Sequence, residues 1–216
     1  MDSCLLIHGF TGGEYEVLPL AQFLGAHDYI TRTFTLKGHG GTRRDLLHSD
    51  RHDWQQSAEE ELNMLLSGAE GVHLVGFSTG ALIASGLSVR YKPYIKSLTL
   101  LSAPVFPLNP AQILRTLGSP EMVRNYLRKW RSTPLKATRE FQHLVRESFA
   151  VYPELELPTF IVQGNRDHLV KSKSAGYLQQ TIPSRRKQVH MVCHSADSAG
   201  MMDEVLQFMR SAGDYR

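Results

Sequence analysis

Six short apolar runs recur along the chain, at residues 4–7, 29–34, 72–75, 97–101, 159–163 and 187–192. Each has the length of a buried strand and is bounded by glycine, proline or polar residues. Between most of them apolar residues return at spacings of three and four, which predicts helices over 16–24, 54–66, 79–91, 173–181 and 203–210. Strand and helix in alternation predict an α/β fold, a mostly parallel sheet with helices on both faces.

One stretch departs from the alternation. Residues 104–158 hold most of the ten prolines and read as two helices, about 110–130 and 134–151, with no strand between them. This predicts a small helical cap inserted after the strand that ends at Leu101, within a single domain spanning 1–216. Between 110 and 150 the segment carries Arg115, Arg124, Arg128, Lys129, Arg131, Lys136, Arg139 and Arg146 against Glu121, Glu140 and Glu147. Solvated helix faces account for that excess, and a basic rim facing acidic substrates or membrane surfaces is the second reading.

A chain of 216 residues suffices for one well-buried core. Its net charge of +3, with 24 Lys and Arg against 21 Asp and Glu dispersed along the sequence, gives no footprint for nucleic acid. Cys4 and Cys193 lie far apart in strand-like segments without CxxC spacing, so a reduced, cytoplasmic setting is expected. The first residues, Met1 to Ile7, lack a basic n-region and a long apolar stretch, so neither export nor stable membrane insertion is expected.

The chemistry concentrates around Gly76-Phe77-Ser78-Thr79-Gly80, entered by the strand-like run at 72–75 and left by the helix-like run that follows. A serine on so sharp a strand-to-helix turn needs glycine two residues before and after it, because a Cβ there would clash. The turn lifts the Ser78 hydroxyl out of the backbone and leaves the Thr79 N–H at a helix N-terminus, where a developing oxyanion finds a donor. A glycine-rich connection with an idle serine is the bland alternative.

Two other segments fit acyl transfer. The run Leu5-Leu6-Ile7-His8-Gly9-Phe10-Thr11-Gly12-Gly13 is a strand followed by a loop able to bring backbone donors close to a ligand, so Phe10 N–H is the second candidate oxyanion donor. His8 is expected to orient that loop by hydrogen bonding and not to act as a base. The strand at 159–163 leads into Gly164-Asn165-Arg166-Asp167, where a carboxylate can hold a histidine Nδ1–H, so Asp167 is the candidate catalytic acid.

With Lys37-Gly38-His39-Gly40 and Asp53-Trp54 added, five motifs in order resemble the α/β-hydrolase superfamily over nearly the whole chain, and most of all its small bacterial carboxylesterases and monoacylglycerol lipases with a short helical cap. The resemblance implies hydrolysis of carboxylic esters, short- to medium-chain or monoacylglycerol-like, through an acyl-enzyme, with Ser78 and Asp167 as nucleophile and acid. It implies Phe10 and Thr79 as oxyanion donors and a structural role for the Gly38-His39-Gly40 loop. No cofactor is called for, the expected partner is a small ester substrate, and oligomeric state is not legible.

The sequence departs from that family twice. The one or two strands that often precede the His8-Gly9 strand are missing from it, which is expected to leave a sheet edge exposed. The catalytic histidine, expected at 197, is replaced by Asp197, and the neighbouring histidines are His190, expected inside a strand, and His194. His194 is therefore the candidate base, and the competing reading is a catalytically impaired pseudo-hydrolase that binds an acyl or ester-like ligand, or a partner, without turnover. Metal binding by His190, Cys193 and His194 is disfavoured, because strand alternation separates positions 193 and 194. Apolar cap residues Leu114, Leu117, Met122, Tyr126, Leu127, Trp130 and Phe141 are candidates for an acyl site or for simple packing onto the core.

Overall fold

The computed structural model describes residues 1–69, 71–106, 133–164, 170, 173–192 and 198–213. Its strands are β1 (Asp2–Ile7), β2 (Tyr29–Thr33), β3 (Val72–Phe77), β4 (Ile95–Leu101), β5 (Thr159–Gly164) and β6 (Lys187–Val192). Its α-helices are α1 (Leu18–Gly25), α2 (Arg43–Leu47), α3 (Arg51–Leu66), α4 (Thr79–Arg90), α5 (Leu135–Val151), α6 (Lys173–Thr181) and α7 (Ser198–Gly213).

The six strands form one sheet in the order β2-β1-β3-β4-β5-β6, and every described pairing is parallel. Parallel pairing brings the C-terminal ends of all six strands to one edge of the sheet. The chain steps outward from β1 to β2 and then returns to the far side of β1 to lay down β3. The crevice above β1 and β3 is thus the point where the winding reverses, the position at which open α/β sheets place ligands. Among the described strands β2 is an edge, with Ile30 half-exposed on it.

Alternation along β1 divides the core in two. Leu5 and Ile7 face the layer that holds Trp54, Ala58 and Leu62 of α3, much of α4, and Phe141, Leu144 and Val145 of α5. Cys4 and Leu6 face the opposite layer with Leu20, Ala21 and Leu24 of α1 and Val205, Leu206 and Met209 of α7. Burial on both faces is why β1 and β3 read as continuous apolar runs.

Capping boxes set the starts of two helices. Helix α3 begins at Arg51 and not at Trp54, because Asp50 accepts the N–H of Asp53 while the Asp53 carboxylate accepts the N–H of Asp50. The same reciprocal box, Thr42 with Asp45, starts α2, a five-residue helix too short to show periodicity. Helix α7 starts five residues before the expected Asp203. Of the two helices expected over 104–158, the second is α5, and the first, over 110–130, lies outside the described residues. Lys136, Arg139 and Arg146 are exposed on α5, as solvated faces require. Its acidic residues instead grip Arg51, whose guanidinium donates to Glu140 at 2.7 Å and to Glu147 at 2.8 Å.

At the N-terminal end of the sheet, His73 of β3 is fully buried between β1 and β4. Its Nδ1 lies 2.7 Å from Ser97 Oγ and its Nε2 3.5 Å from the Asp2 carboxylate, which also takes an ion pair from Lys96. A carboxylate only accepts, so the neutral ring donates from Nε2 and accepts the Ser97 hydroxyl at Nδ1. Burial outweighs the pull of Asp2 and brings the imidazole pKa down to about 4. His39, buried by the far end of the sheet, is brought down to about 4 as well, through burial and the neighbouring His8. In the unfolded chain both rings protonate near pH 6.5 and in the folded chain near 4, so folding loses stability as pH falls from 6.5 to 4. Each ring contributes a slope of up to about 1.4 kcal/mol per pH unit over that window. Urea titrations at pH 7, 5.5 and 4.5 are expected to show this decline, and His73→Gln is expected to make it shallower.

Candidate active site

Ser78 follows β3 directly, with φ 52° and ψ −113°, in a region that side-chain-bearing residues rarely occupy. Strain of this kind costs about 1–3 kcal/mol and persists only where its surroundings enforce it. They do so here through Ser78 N–H, which donates to Leu101 O at the end of β4, and Ser78 O, which accepts from Ala81 N–H in the first turn of α4. The flanking glycines are required for different reasons. A Cβ at Gly76 would lie 2.4 Å from Gly80 O and 2.5 Å from Ala81 N, so it would collide within the turn. A Cβ at Gly80 would lie 2.1 Å from Ile7 O, so that glycine lets α4 settle against the end of β1. Thr79 is the first residue of α4 and fully buried, and its N–H is one of the donors a helix cannot satisfy internally.

The loop after β1 lies directly on this turn. A Cβ at Gly9 would sit 3.2 Å from Ser78 Cβ, 3.2 Å from the Phe77 ring and 3.2 Å from Glu16 Oε2. His8, fully buried, clips the loop to the segment after β2: its Nε2 accepts Leu36 N–H at 2.9 Å, which leaves the proton on Nδ1 to donate to Gly9 O at 2.8 Å. Burial holds His8 below the ordinary histidine range, so the ring is neutral and both nitrogens are occupied. A ring used in this way is unavailable as a general base. Gly12 N–H also donates to Gly9 O, at 3.2 Å. Gly9 C=O and Phe10 N–H belong to one planar trans peptide, so fixing the carbonyl fixes the N–H on the opposite side.

The Phe10 ring ties the loop to two helices. It stacks on Phe141 of α5 with centroids 5.0 Å apart, and it contacts Trp54 of α3 at 5.8 Å and the His39 ring at 6.0 Å. His39 also meets the edge or face of His8 and Trp54. The Gly38-His39-Gly40 turn has positive φ at both glycines, and a Cβ at Gly38 would meet Ser49 Oγ at 2.1 Å. Ser49 in turn accepts the Trp54 indole N–H. Asp53 caps α3 and pairs with Lys37. The Lys37-Gly38-His39-Gly40 and Asp53-Trp54 motifs are therefore the packing that backs the loop.

The structure thus sets Ser78 and Thr79 at the head of α4 and places Gly9, the residue before Phe10, against Ser78. Asp167, His194, Asp197 and Cys193 lie outside the described residues. His190 is inside β6, as expected, and its Nδ1 faces Glu204 of α7 at 2.8 Å. Among the described residues no cluster of three His, Cys, Asp or Glu side chains suits a metal. No described helix is long and apolar enough to cross a membrane. The sequence reading passed over Glu16, whose carboxylate accepts Gly9 N–H at 3.0 Å. A partner seven residues away follows neither helix nor strand periodicity, and only the shape of the loop reveals it.

The profile of the alpha/beta hydrolase family matches residues 4–213. A carboxylesterase of Bacillus subtilis (strain 168) is 25% identical over 198 residues, covering 86% of this chain and 80% of its own length. A thermostable monoacylglycerol lipase of Bacillus sp. (strain H-257) is 25% identical over 225 residues, covering 94% and 88%. Among solved structures, one from the metagenome-derived lipolytic enzymes LipS and LipT superposes with a TM-score of 0.84 at 18% identity, covering 97% of this chain and 94% of that one. A soluble variant of the Saccharomyces cerevisiae monoglyceride lipase, solved with a substrate analogue, gives 0.76 at 17% identity, covering 98% and 87%.

The two kinds of glycine in α4 predict opposite outcomes. Gly80→Ala drives a methyl into the backbone of β1 and is expected to destabilise the fold by about 2 kcal/mol or more. Gly86→Ala, where a Cβ meets nothing within 4 Å, is expected to stabilise by about 0.4–1 kcal/mol. Denaturation midpoints of the two variants check this directly.

Proposed function

Since the chain belongs to the alpha/beta hydrolase family, we propose that it hydrolyses carboxylic esters with Ser78 as nucleophile. The observation that carries the reading is the strained backbone of Ser78 at the head of α4, with the Gly9-Phe10 peptide packed against it. Backbone strain held in place by two hydrogen bonds and two obligatory glycines supports a functional role for the residue that carries it.

In this mechanism Ser78 Oγ attacks the ester carbonyl carbon while His194 takes its proton, and Asp167 holds the imidazolium that forms. The carbonyl oxygen becomes an oxyanion between the N–H groups of Thr79 and Phe10. Collapse expels the alcohol, protonated by His194, and leaves an acyl group on Ser78. Water, deprotonated by the same histidine, then releases the acid. Short- to medium-chain acyl esters, monoacylglycerols among them, are the proposed substrates, in keeping with the lipolytic names of the relatives. The cap is proposed to be the insertion 104–158, and Phe141, set against Phe10, is proposed as part of the acyl wall.

Asp197, at the position the family gives to histidine, supports the second reading, a scaffold that binds an acyl ligand without turnover. Hydrolysis of p-nitrophenyl butyrate separates the two. Ester hydrolysis predicts measurable turnover that falls at least about 10³-fold in both Ser78→Ala and His194→Ala. An inactive parent that gains turnover on Asp197→His would establish the second reading instead.

A further inference from the structure

We infer that Glu16 is a positioning residue for the oxyanion site, acting through Gly9 on the Phe10 N–H; this rests on the ester-hydrolase reading above. Glu16 closes the short 3-10 turn Glu14–Glu16 that follows the loop, and its own N–H is held by Gly13 O. Its side chain returns over the loop, where Oε2 accepts the Gly9 N–H at 3.0 Å. Both carboxylate oxygens lie on Gly12: a Cβ there would be 2.0 Å from Oε2 and 2.7 Å from Oε1. The carboxylate thus fills the space where a Gly12 side chain would stand, so a Cβ there would displace it.

The consequence follows from the peptide geometry of Gly9. Its carbonyl is fixed by His8 Nδ1–H and by Gly12 N–H, and its N–H by Glu16. With both ends of the residue held, the Gly9-Phe10 peptide plane has no rotation left, and the Phe10 N–H keeps one direction. Glycine is the residue least able to hold such a direction unaided. The arrangement also explains an anionic side chain beside a site that is to receive an anion. Oε2 accepts the Gly9 N–H, a donor one residue removed from the Phe10 N–H, and a charge-assisted bond is the strongest tie available for that donor.

A positioning role differs from simple support of the fold in what it changes. Glu16→Ala is expected to lower kcat for p-nitrophenyl butyrate about 10- to 100-fold, short of the loss of a whole oxyanion donor, with KM little changed. Glu16→Gln, whose side-chain oxygen still accepts the Gly9 N–H, is expected to retain most of the parent kcat. Amide hydrogen exchange at Gly9 should quicken in the alanine variant and stay slow in the glutamine variant, a readout that needs no turnover. Unchanged kcat and unchanged Gly9 protection in Glu16→Ala would overturn the inference, as would a folded Glu16→Gln as impaired as the alanine variant. A parent inactive toward all esters, with Gly9 exchange still governed by Glu16, would overturn the ester-hydrolase reading and leave the control of the loop standing.

Discussion

Strand β1 and helix α4 meet at a distance that only a missing side chain allows. The carbonyl of Ile7 would lie 2.1 Å from a Cβ on Gly80, so the first turn of α4 rests on the backbone of β1 itself. That contact sets the angle at which the chain leaves β3, and through it the backbone of Ser78, whose φ of 52° is otherwise unfavourable. It also fixes how far the loop after β1 can stand from the serine, and Gly9 accordingly abuts Ser78 Cβ. Serine and loop are built from one packing event between neighbouring strands, at the reversal of the winding.

Buried histidines hold the two ends of the central strands, and each does so uncharged. At the end bearing the serine, His8 bridges Gly9 O and Leu36 N–H. At the opposite end, His73 joins Asp2 of β1 to Ser97 of β4. A neutral imidazole carries one donor and one acceptor, so it can join segments of unlike need, which neither a hydroxyl nor an ammonium does over the same span. The liability is acid: a charged ring has no acceptor to offer, so these joints weaken as the rings are driven to protonate.

Much of this was legible in the sequence, and the reasons are specific. Strands β1, β3, β4 and β5 were visible because burial on both faces makes them nearly continuous apolar runs, and the glycine pair around Ser78 because steric need leaves a fixed spacing. The early start of α3 was not read, since its polar first turn, Arg51-His52-Asp53, carries no apolar stripe, and the capping box that marks it lay unused in Asp50 and Asp53. His73 passed as one more residue of a strand, because its partners come from Asp2 and Ser97, which become neighbours only once β1, β3 and β4 align. Glu16 escaped for the same reason at shorter range: its partner is set by the fold of a loop and by no period. Asp167 and His194 were assigned from motif and chain order, and both lie outside the described residues.

The electrostatics of the described half of the site bear on how an oxyanion is to be held there. His8 and His39 stand within ring contact of each other and of the Phe10 loop, and burial keeps both neutral. The charge of Glu16 is directed at Gly9 N–H. Neither histidine therefore offers a cation to a developing negative charge. Under the proposed ester hydrolysis, the donors that remain among the described residues are peptide dipoles, those of Thr79 at the head of α4 and of Phe10 in its restrained plane. Dipoles act well only when they are already oriented before charge appears, because reorienting them during the reaction costs much of what they return. The hydrogen bonds on Gly9, the clasp of Phe10 between Phe141 and Trp54 and the turn around His39 all serve that orientation. Rigidity of the loop is what the glycines, histidines and aromatic rings around Phe10 supply.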